Sequence, residues 1–387
     1  MIRSRALSLA AILSSCIAYG IGMGLTLPLL ALILERMGEP GSVNGLNSAT
    51  GGLAALAIAP FAPRLMARFG AAQLLMLALA VSAGGMLAIY EAPNLWAWFP
   101  IRFVLSSGLN LLFVIAEFWV NRLADNATRG RYIALYSICF AGAYGIGPAL
   151  LQIIGTHGIG PFATGAAMML LGIVPVFFAR KTAPRLDNPS ATSIFGVLRM
   201  APIAFAAALV FGAIDSGMAG LLPVYAVREG YSEANAALCV TAMALGSIVF
   251  QYPLGALADR MSKRTLLAIC ASTGVFGAAL TPFAIATPML LYLLLFLWGG
   301  VILGMYSIGL TLLGERFPGS ELAHANAGFV MMYCAGLLVG PAVEGYGLDV
   351  WNPHGLLVVL GAICAVYVGW VALSRAKPAE IQASTPP

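Results

Sequence analysis

Residues 265–314 read TLLAICASTGVFGAALTPFAIATPMLLYLLLFLWGGVILGMYSIGLTLLG, a run of 50 residues without Asp, Glu, Lys or Arg. A helix that crosses a bilayer needs about 20 apolar residues. The run is therefore long enough for two membrane-spanning helices, and Pro282 and Pro288 bracket the turn expected between them. It decides the fold class, because an uncharged run of this length is typical of membrane spans.

The composition of the whole chain points to the same class, a polytopic membrane protein. Of the 387 residues, 60% are apolar and 9% are charged, and the mean hydropathy is +0.92. A soluble domain would carry about a quarter charged residues. Residues 6–34 are also uncharged. They exceed the apolar core of about 7–15 residues found in a signal peptide, so we expect a retained first helix.

Twelve spans are predicted, which makes the chain an all-α polytopic membrane protein. The longest polar connector, residues 180–199, separates six spans from six. We therefore expect an N-terminal six-helix bundle at 1–179, a linker at 180–199, a C-terminal bundle at 200–375 and a tail at 376–387. The predicted spans are 7–34, 44–62, 72–90, 95–120, 132–155, 161–179, 201–226, 234–256, 266–285, 289–313, 323–345 and 353–373.

The basic residues predict the orientation of these spans. Seventeen of the 20 lie on the side of the chain termini, whereas the opposite loops hold Arg36 and Arg228, and Arg102 lies within a span. Basic residues collect on the cytoplasmic side of membrane proteins. We therefore expect a multi-pass protein of a bacterial-type inner membrane, with both termini in the cytoplasm. This topology accounts for the net charge of +5, which gives no reason to expect a nucleic-acid partner.

Three landmarks recur along the chain at nearly one offset. PRLMARFG begins at residue 63 and GALADRMS at residue 255, an offset of 192. Pro28 in LTLPLLA and Pro223 in GLLPVYA are 195 apart. Pro148, which ends AYGIGP, and Pro341, which ends GLLVGP, are 193 apart. The recurrence indicates that the chain is a duplicated six-helix unit with pseudo-symmetric halves.

These motifs resemble those of the major facilitator superfamily, and the resemblance covers essentially the whole chain. The superfamily carries G-x-x-x-D-R-x-G-R-K/R after the second span of each half. The second-half copy here has Ser262 at the second glycine and otherwise matches at Gly255, Asp259, Arg260, Lys263 and Arg264. In the first-half copy Arg68 and Gly70 match, but Pro63 replaces the glycine and Ala67 the acid. The resemblance implies two bundles around a central cavity, and we expect the second copy to latch them when the cavity opens outward.

Two further segments, AEFWVNRLADNATRGR (116–131) and ANAGFVMMYCAGLLVGP (325–341), resemble the small YcaD-like branch of the superfamily. That resemblance implies transport without naming a cargo. A glycine-proline pair in the fifth span resembles the antiporter motif and favours export slightly. Small residues and prolines in spans five and eleven are expected to permit close packing and bending, namely Gly142, Gly147, Pro148, Gly336, Gly340 and Pro341.

Charged residues inside spans cost about 2.5–3.5 kcal/mol each on insertion scales, so they are functional candidates. Asp215 lies near the middle of the seventh span, which lines the cavity in the resembled fold. Because a low-dielectric cavity disfavours a charged carboxyl, Asp215 can load and release protons there. The alternative is a hydrogen bond to Ser216 or to backbone that fixes the helix.

Glu117 and Arg102 are the candidates of the fourth span. Glu117 is either a proton site or one partner of a gating or structural ion pair with Arg122 or Arg131. Arg102 lies 15 residues earlier, about 22 Å along the helix and about 60° around it, so both can face one cavity. There Arg102 can bind an anionic group or act on an acid; the alternative is that it snorkels to the outer surface.

Sulfur-containing residues suggest a different cargo. Cys239 and Met243 share one face of the eighth span, and soft ligands suit Cu(I). Copper importers of the resembled superfamily use Met and His pairs in spans seven and eight, but here Leu222 stands where a partner for Met218 is expected. Core packing of these side chains is the alternative reading.

The sequence contains no phosphate-binding loop, nucleophile elbow or zinc motif, so we expect neither an enzyme nor a cofactor. The expected function is secondary active transport of a small solute by alternating access, proton-coupled, with export favoured. The expected partners are the solute, protons and the bilayer, and the expected state is a monomer. Two alternatives remain open: import of copper or another soft metal, and a sensor or scaffold with a transporter fold and no flux.

Overall fold

The computed structural model of the chain describes residues 2–123, 129–184, 200–317 and 319–374. Within these ranges every regular element is helical. Residues 185–199 of the predicted linker and the predicted tail at 376–387 lie outside the described residues. The helices are α1 (Ile2–Arg36), α2 (Gly41–Ile58), α3 (Ala62–Phe69), α4 (Ala71–Glu91), α5 (Leu95–Leu123), α6 (Arg129–Ile154), α7 (Gly160–Ala179), α8 (Pro202–Arg228), α9 (Glu233–Arg260), α10 (Lys263–Ala284), α11 (Pro288–Ile302), α12 (Gly304–Arg316), α13 (Gly319–Val350) and α14 (Gly355–Leu373).

Eleven spans in the described part of the chain are long and apolar enough to cross a membrane, and α11 with α12 forms one of them. The number becomes twelve if α2 and α3, which are bent by 61°, count as one span. The bend has a local cause: Pro60 and Pro63 lack an amide hydrogen, so the helical hydrogen-bond ladder is interrupted between the two helices. The predicted all-α polytopic fold is confirmed.

The two halves of the chain repeat one packing scheme. In the first half α1 packs on α6 and α7, and in the second half α8 packs on α13 and α14. Glycines allow the close approach: a Cβ at Gly24 of α1 would overlap the Tyr144 carbonyl of α6, and one at Gly212 of α8 would overlap the Tyr333 carbonyl of α13. Close backbone packing at small residues is typical of membrane helices, where van der Waals contact drives association.

The halves meet chiefly through α2 with α13, α6 with α9, and α1 with α8, and to a smaller extent through α2 with α8 and α1 with α9. For orientation, we call the end of the molecule where α1 begins and α14 ends the terminal face. The opposite end, where α1 finishes at Arg36 and α2 begins at Gly41, is the distal face. By the distribution of basic residues the terminal face is the one predicted to be cytoplasmic.

Candidate functional site

Two clusters of aromatic side chains lie on either side of the junction between the halves. The first aromatic cluster consists of Tyr19, Phe113, Phe140 and Tyr144; the second consists of Phe211, Tyr306, Phe329 and Tyr333. Tyr19 stacks on Phe140 at 5.3 Å and 18°, and Phe211 stacks on Tyr333 at 5.8 Å and 20°. Tyr19 lies near Tyr306 and Asp215 of the other half, so the clusters face each other.

The aromatic clusters follow the internal duplication, a signal that the sequence analysis did not use. Three equivalent pairs share the offset of the landmarks: Tyr19 with Phe211 at 192, Phe113 with Tyr306 at 193, and Phe140 with Tyr333 at 193. Their contacts are equivalent too, because each stacked pair joins the first helix of its half to the fifth span. The repeat of the offset would have found these positions from sequence alone.

Asp215 lies in the middle of α8, half-buried between the two clusters. Its carboxylate accepts a hydrogen bond from the Tyr333 hydroxyl of α13 at 2.8 Å. It also interacts electrostatically with Tyr19 of α1 and Tyr144 of α6. Asp215 therefore belongs to the second half and faces the first, and its hydrogen-bond donor is Tyr333, a partner that was not expected from the sequence.

Glu117 lies in the terminal part of α5 and is exposed. It interacts electrostatically with Tyr136 of its own half and with Tyr306 of the other half. An exposed residue within reach of the opposite half faces the space between them. The structure thus places Glu117 and Asp215 on the same gap, Glu117 on the side of the terminal face.

Arg102 of α5 is buried inside the first half, with only 2% of its surface exposed. This burial contradicts snorkelling to the outer surface. Its Nε and Nη1 atoms have no hydrogen-bond partner among the described residues, and neither has Nδ2 of Asn47 on α2. Gly51 of α2 faces Ser106 of α5, so Asn47 and Arg102 lie one turn further along the same two helix surfaces. Arg102 is therefore set back from the gap, against α2.

Glu344 of α13 is a buried acid that the sequence analysis did not single out. Its side chain is 0% exposed, and neither carboxyl oxygen has a hydrogen-bond partner in the described part of the chain. The carboxyl occupies the place that a Cβ of Gly217 on α8 would take. The predicted eleventh span ended at residue 345, whereas α13 continues to Val350, which puts Glu344 inside the helix.

The halves are closely packed toward the distal face. A Cβ at Gly45 of α2 would overlap the Pro341 carbonyl of α13, and a Cβ at Gly345 of α13 would overlap the Gly41 carbonyl of α2. The Asp349 carboxylate of α13 accepts hydrogen bonds from the amides of Gly41 at 2.6 Å and Ser42. A carboxylate at a helix N-terminus is stabilised by the helix dipole and by the free amides. We call this α2–α13 contact the distal gate.

Ion pairs and hydrogen bonds reinforce the distal gate. Arg36 at the end of α1 pairs with Glu233 at the start of α9 at 2.6 Å, and Arg228 at the end of α8 pairs with Glu35 at 2.8 Å. Glu233 also accepts a hydrogen bond from Thr156. All of these contacts join one half to the other, so the structure is closed at the distal face.

The second-half copy of the loop motif lies at the terminal face and contacts its own half. Gly255, Asp259 and Arg260 are part of α9 and exposed. Lys263 pairs with Glu315 of α12, and Arg264 donates a hydrogen bond to the Val371 carbonyl of α14. A Cβ at Gly255 would meet no described atom within 4 Å. In this conformation, the basic residues of the motif tie helices of the C-terminal half together.

The first-half copy of the loop motif covers α3 and the turn that follows this helix. Arg68 is exposed, with its guanidinium 5.3 Å from the Phe69 ring centre. Gly70 has a φ of +82° at the turn between α3 and α4, a conformation that favours glycine.

The residues expected to permit close helix packing differ in their surroundings. A Cβ at Gly147 would overlap the backbone of Gly24 and Leu25, and Cβ atoms at Gly336 and Gly340 would overlap the backbone of α8 at Leu209 and Ala213. Pro148 and Pro341 lie within α6 and α13. Gly142 is an exception to the expectation: among the described residues none lies within 4 Å of a Cβ built there, because that face of α6 has no close neighbour.

Cys239 and Met243 pack inside the second half. Cys239 is fully buried, and the backbone and side chain of Met243 lie against Gly299 of α11. In the described ranges no group of three or more His, Cys, Asp or Glu residues is arranged to hold a metal ion. The contacts of Cys239 and Met243 are those of packed core side chains, the alternative reading of this pair.

The chain is similar in sequence to one family and its members, and similar in fold to a solved transporter structure. The Major Facilitator Superfamily model matches residues 10–240 and 230–386. The uncharacterized MFS-type transporter YfkF of Bacillus subtilis (strain 168) is 24% identical over 369 residues, 93% of this chain and of that protein. The uncharacterized MFS-type transporter YcaD of Escherichia fergusonii is 24% identical over 306 residues, 79% of each. The crystal structure of the nucleoside transporter NupG has a TM-score of 0.75 at 15% identity, covering 95% of this chain and 96% of that one.

The chain belongs to the Major Facilitator Superfamily. Its resemblance to the YcaD-like branch, expected from residues 116–131 and 325–341, is confirmed. The family indicates a transporter. The likeness to NupG shows the fold alone.

Proposed function

We propose that this protein is a secondary active transporter that moves a small solute across a bacterial inner membrane by alternating access, coupled to protons. The observation that carries the proposal is the placement of two carboxyls, Asp215 and Glu117, on the gap between two halves that are joined at the distal face. Charged residues retained within membrane spans mark substrate and proton pathways.

Alternating access needs a cavity that opens to one side at a time. The Arg36–Glu233 and Arg228–Glu35 ion pairs and the distal gate close one side, while Glu117 is exposed near the other. With the terminal face in the cytoplasm, as the basic residues predict, this is an inward-facing conformation. In it a cytoplasmic solute has access to the aromatic clusters.

The aromatic clusters suit a solute with a flat apolar part. Five of their rings are half-buried and border the gap, namely Phe113, Phe140, Tyr144, Tyr306 and Tyr333. Aromatic rings offer large contact area and favour stacked or edge-on partners, and solute sites are mostly apolar with a few placed polar groups. Asp215 and the Tyr333 hydroxyl are those polar groups here.

Proton coupling is assigned to Asp215 and Glu117. The Tyr333 hydroxyl donates to the Asp215 carboxylate, so the ionised form has one fixed partner, and protonation removes the charge from the gap. Export is favoured because Gly147-Pro148 resembles the antiporter motif of the fifth span. A proton that enters from the distal side would then be released on the terminal side, in exchange for a solute that moves from the terminal side to the distal side.

The test begins with a thermal-shift screen of the purified protein against metabolites, drugs and metal ions, which supplies a ligand. Counterflow of that ligand in proteoliposomes measures exchange, and uphill movement under an imposed proton gradient measures coupling. We expect Asp215→Asn and Glu117→Gln to keep exchange and to lose uphill movement, whereas Glu91→Gln, at the exposed end of α4, keeps both. Uphill, gradient-dependent transport that persists in both cavity variants would overturn the coupling. Ligand binding without counterflow would favour the sensor or scaffold alternative.

A further inference from the structure

The seam between α8 and α13 brings a carboxylic acid into a row of small residues. Gly336 lies against Leu209, and Gly340 lies against Ala213. One turn further toward the distal face the same row reaches Glu344, and Gly217 faces it. Glycine at 217 leaves room for a carboxyl because any Cβ there would overlap it.

The equivalent position in the first half is a leucine. The offset of 193 relates Gly147-Pro148 to Gly340-Pro341, and it relates Leu151 to Glu344. Leu151 is fully buried in α6, so an apolar side chain fills this place in the same packing scheme. Packing alone therefore gives no reason for an acid at 344.

No described group around the Glu344 carboxyl stabilises an ionised carboxylate in this conformation. An ionised carboxylate that is buried without hydrogen bonds or a counter-charge is so costly that the group takes up a proton instead. No side chain in the described ranges hydrogen-bonds either of its oxygens. Gly345, the next residue, abuts the Gly41 backbone of α2 at the distal gate, so the Glu344 site lies directly behind that contact.

We propose that Glu344 is a proton-binding site that controls the distal gate: the protonated carboxyl permits the gate to close, and loss of the proton favours its opening. When α2 and α13 separate, water reaches the neighbourhood of Gly345, and the carboxyl can ionise. Closing the gate again buries the group and requires a proton. This inference deepens the proposed transport function by adding a carboxyl behind the gate, although its test needs no cargo.

Other titratable groups lie around the site, and on the distal side they include His354, beside Tyr225 of α8 and Glu229, and His157, beside Thr156. On α8 the nearest is Asp215, held by Tyr333 of α13; on α14 it is Cys364, whose side chain lies near Glu344. The α2 segment Gly41–Ile58 carries no titratable side chain, and on α12 Tyr306 lies in the second aromatic cluster while Glu315 pairs with Lys263. At the gate itself Glu35 and Glu233 pair with arginines, and Asp349 accepts hydrogen bonds from backbone amides.

The experiment follows the distal gate as a function of pH in the full-length protein in lipid nanodiscs. Spin labels are placed at Ile159 and Thr287, exposed on the distal side of the two halves, after replacement of the native cysteines. Distances between them are measured from about pH 6 to about pH 9, a range above the ordinary pKa of a carboxyl in water. In the otherwise unchanged protein we expect the open population to rise with pH, by at most about tenfold per unit for one proton.

Glu344→Gln should remain closed across this range, because it cannot ionise, and Glu344→Leu should do the same with the side chain that the first half uses. Either Glu344 variant is sufficient for the test if the other does not fold. The control variant Glu91→Gln should show the same pH dependence of the distal distance as the unchanged protein. A distance distribution that does not respond to pH, or a response that survives in the Glu344 variants, would overturn the proposal. Failure here leaves counterflow of the solute intact, so it is distinct from failure of the transport function.

Discussion

Replacing Gly45 by alanine is expected to hold the distal gate open. The methyl group would overlap the Pro341 carbonyl, a backbone atom that cannot turn aside, so α2 and α13 must separate. Inserting a methyl into a closely packed contact costs about 1–3 kcal/mol. The open conformation avoids this cost, so the ratio of open to closed molecules should rise by about 5- to 150-fold.

Gly51→Ala is the matched control on the same helix. A Cβ there would lie at an ordinary 3.5 Å from the Ser106 hydroxyl, and both substitutions give α2 the same gain in helix propensity, about 1 kcal/mol. Distances between spin labels at Ile159 and Thr287, and between labels at Ala67 and Ser262 on the terminal side, report the two gates. We expect longer distal and shorter terminal distances in Gly45→Ala alone. The same distribution in both variants would refute the packing argument.

Three further outcomes are expected. A double-mutant cycle of Arg36→Ala and Glu233→Ala should give a coupling of about 0.5–1 kcal/mol toward the closed distal state, modest because the pair is partly exposed; additive effects would show that the pair does not hold the gate. Asp259→Asn should reduce the population that is closed at the terminal face, measured by cysteine accessibility across that rim, and an unchanged equilibrium would exclude the latch. Cys239→Ala with Met243→Ala should leave solute transport unchanged, whereas loss of metal-dependent quenching in that variant would revive the copper hypothesis.

Much of the fold could be predicted because the bilayer imposes a simple rule on the sequence. Long apolar runs located the spans, most of them to within a few residues, and three landmarks at nearly one offset revealed the duplication. Pro60 and Pro63 indicate a break between α2 and α3, but the sequence analysis predicted one continuous span there. Hydropathy averages over a window, so it does not register two missing amides at the end of an apolar run.

The candidate site was only partly predictable, because sequence does not show which residues meet across helices. Asp215 and Glu117 were found as charges inside spans, but the Tyr333 partner of Asp215 required the three-dimensional arrangement. Glu344 was missed because it lies one residue before the predicted end of the span, where sequence alone does not distinguish a buried acid from a solvated one. The aromatic clusters could have been predicted from sequence, because their equivalent residues are 192 or 193 positions apart, as two of the three landmarks are.

Transport by proton-coupled alternating access is tested most directly in proteoliposomes with a ligand from the thermal-shift screen. We expect the unchanged protein to exchange the ligand without a gradient and to move it uphill when a proton gradient is imposed. Asp215→Asn should retain the exchange and lose the uphill movement. If the ligand binds but does not cross the bilayer, or if it moves uphill equally well in Asp215→Asn and Glu117→Gln, proton-coupled transport through this site is contradicted.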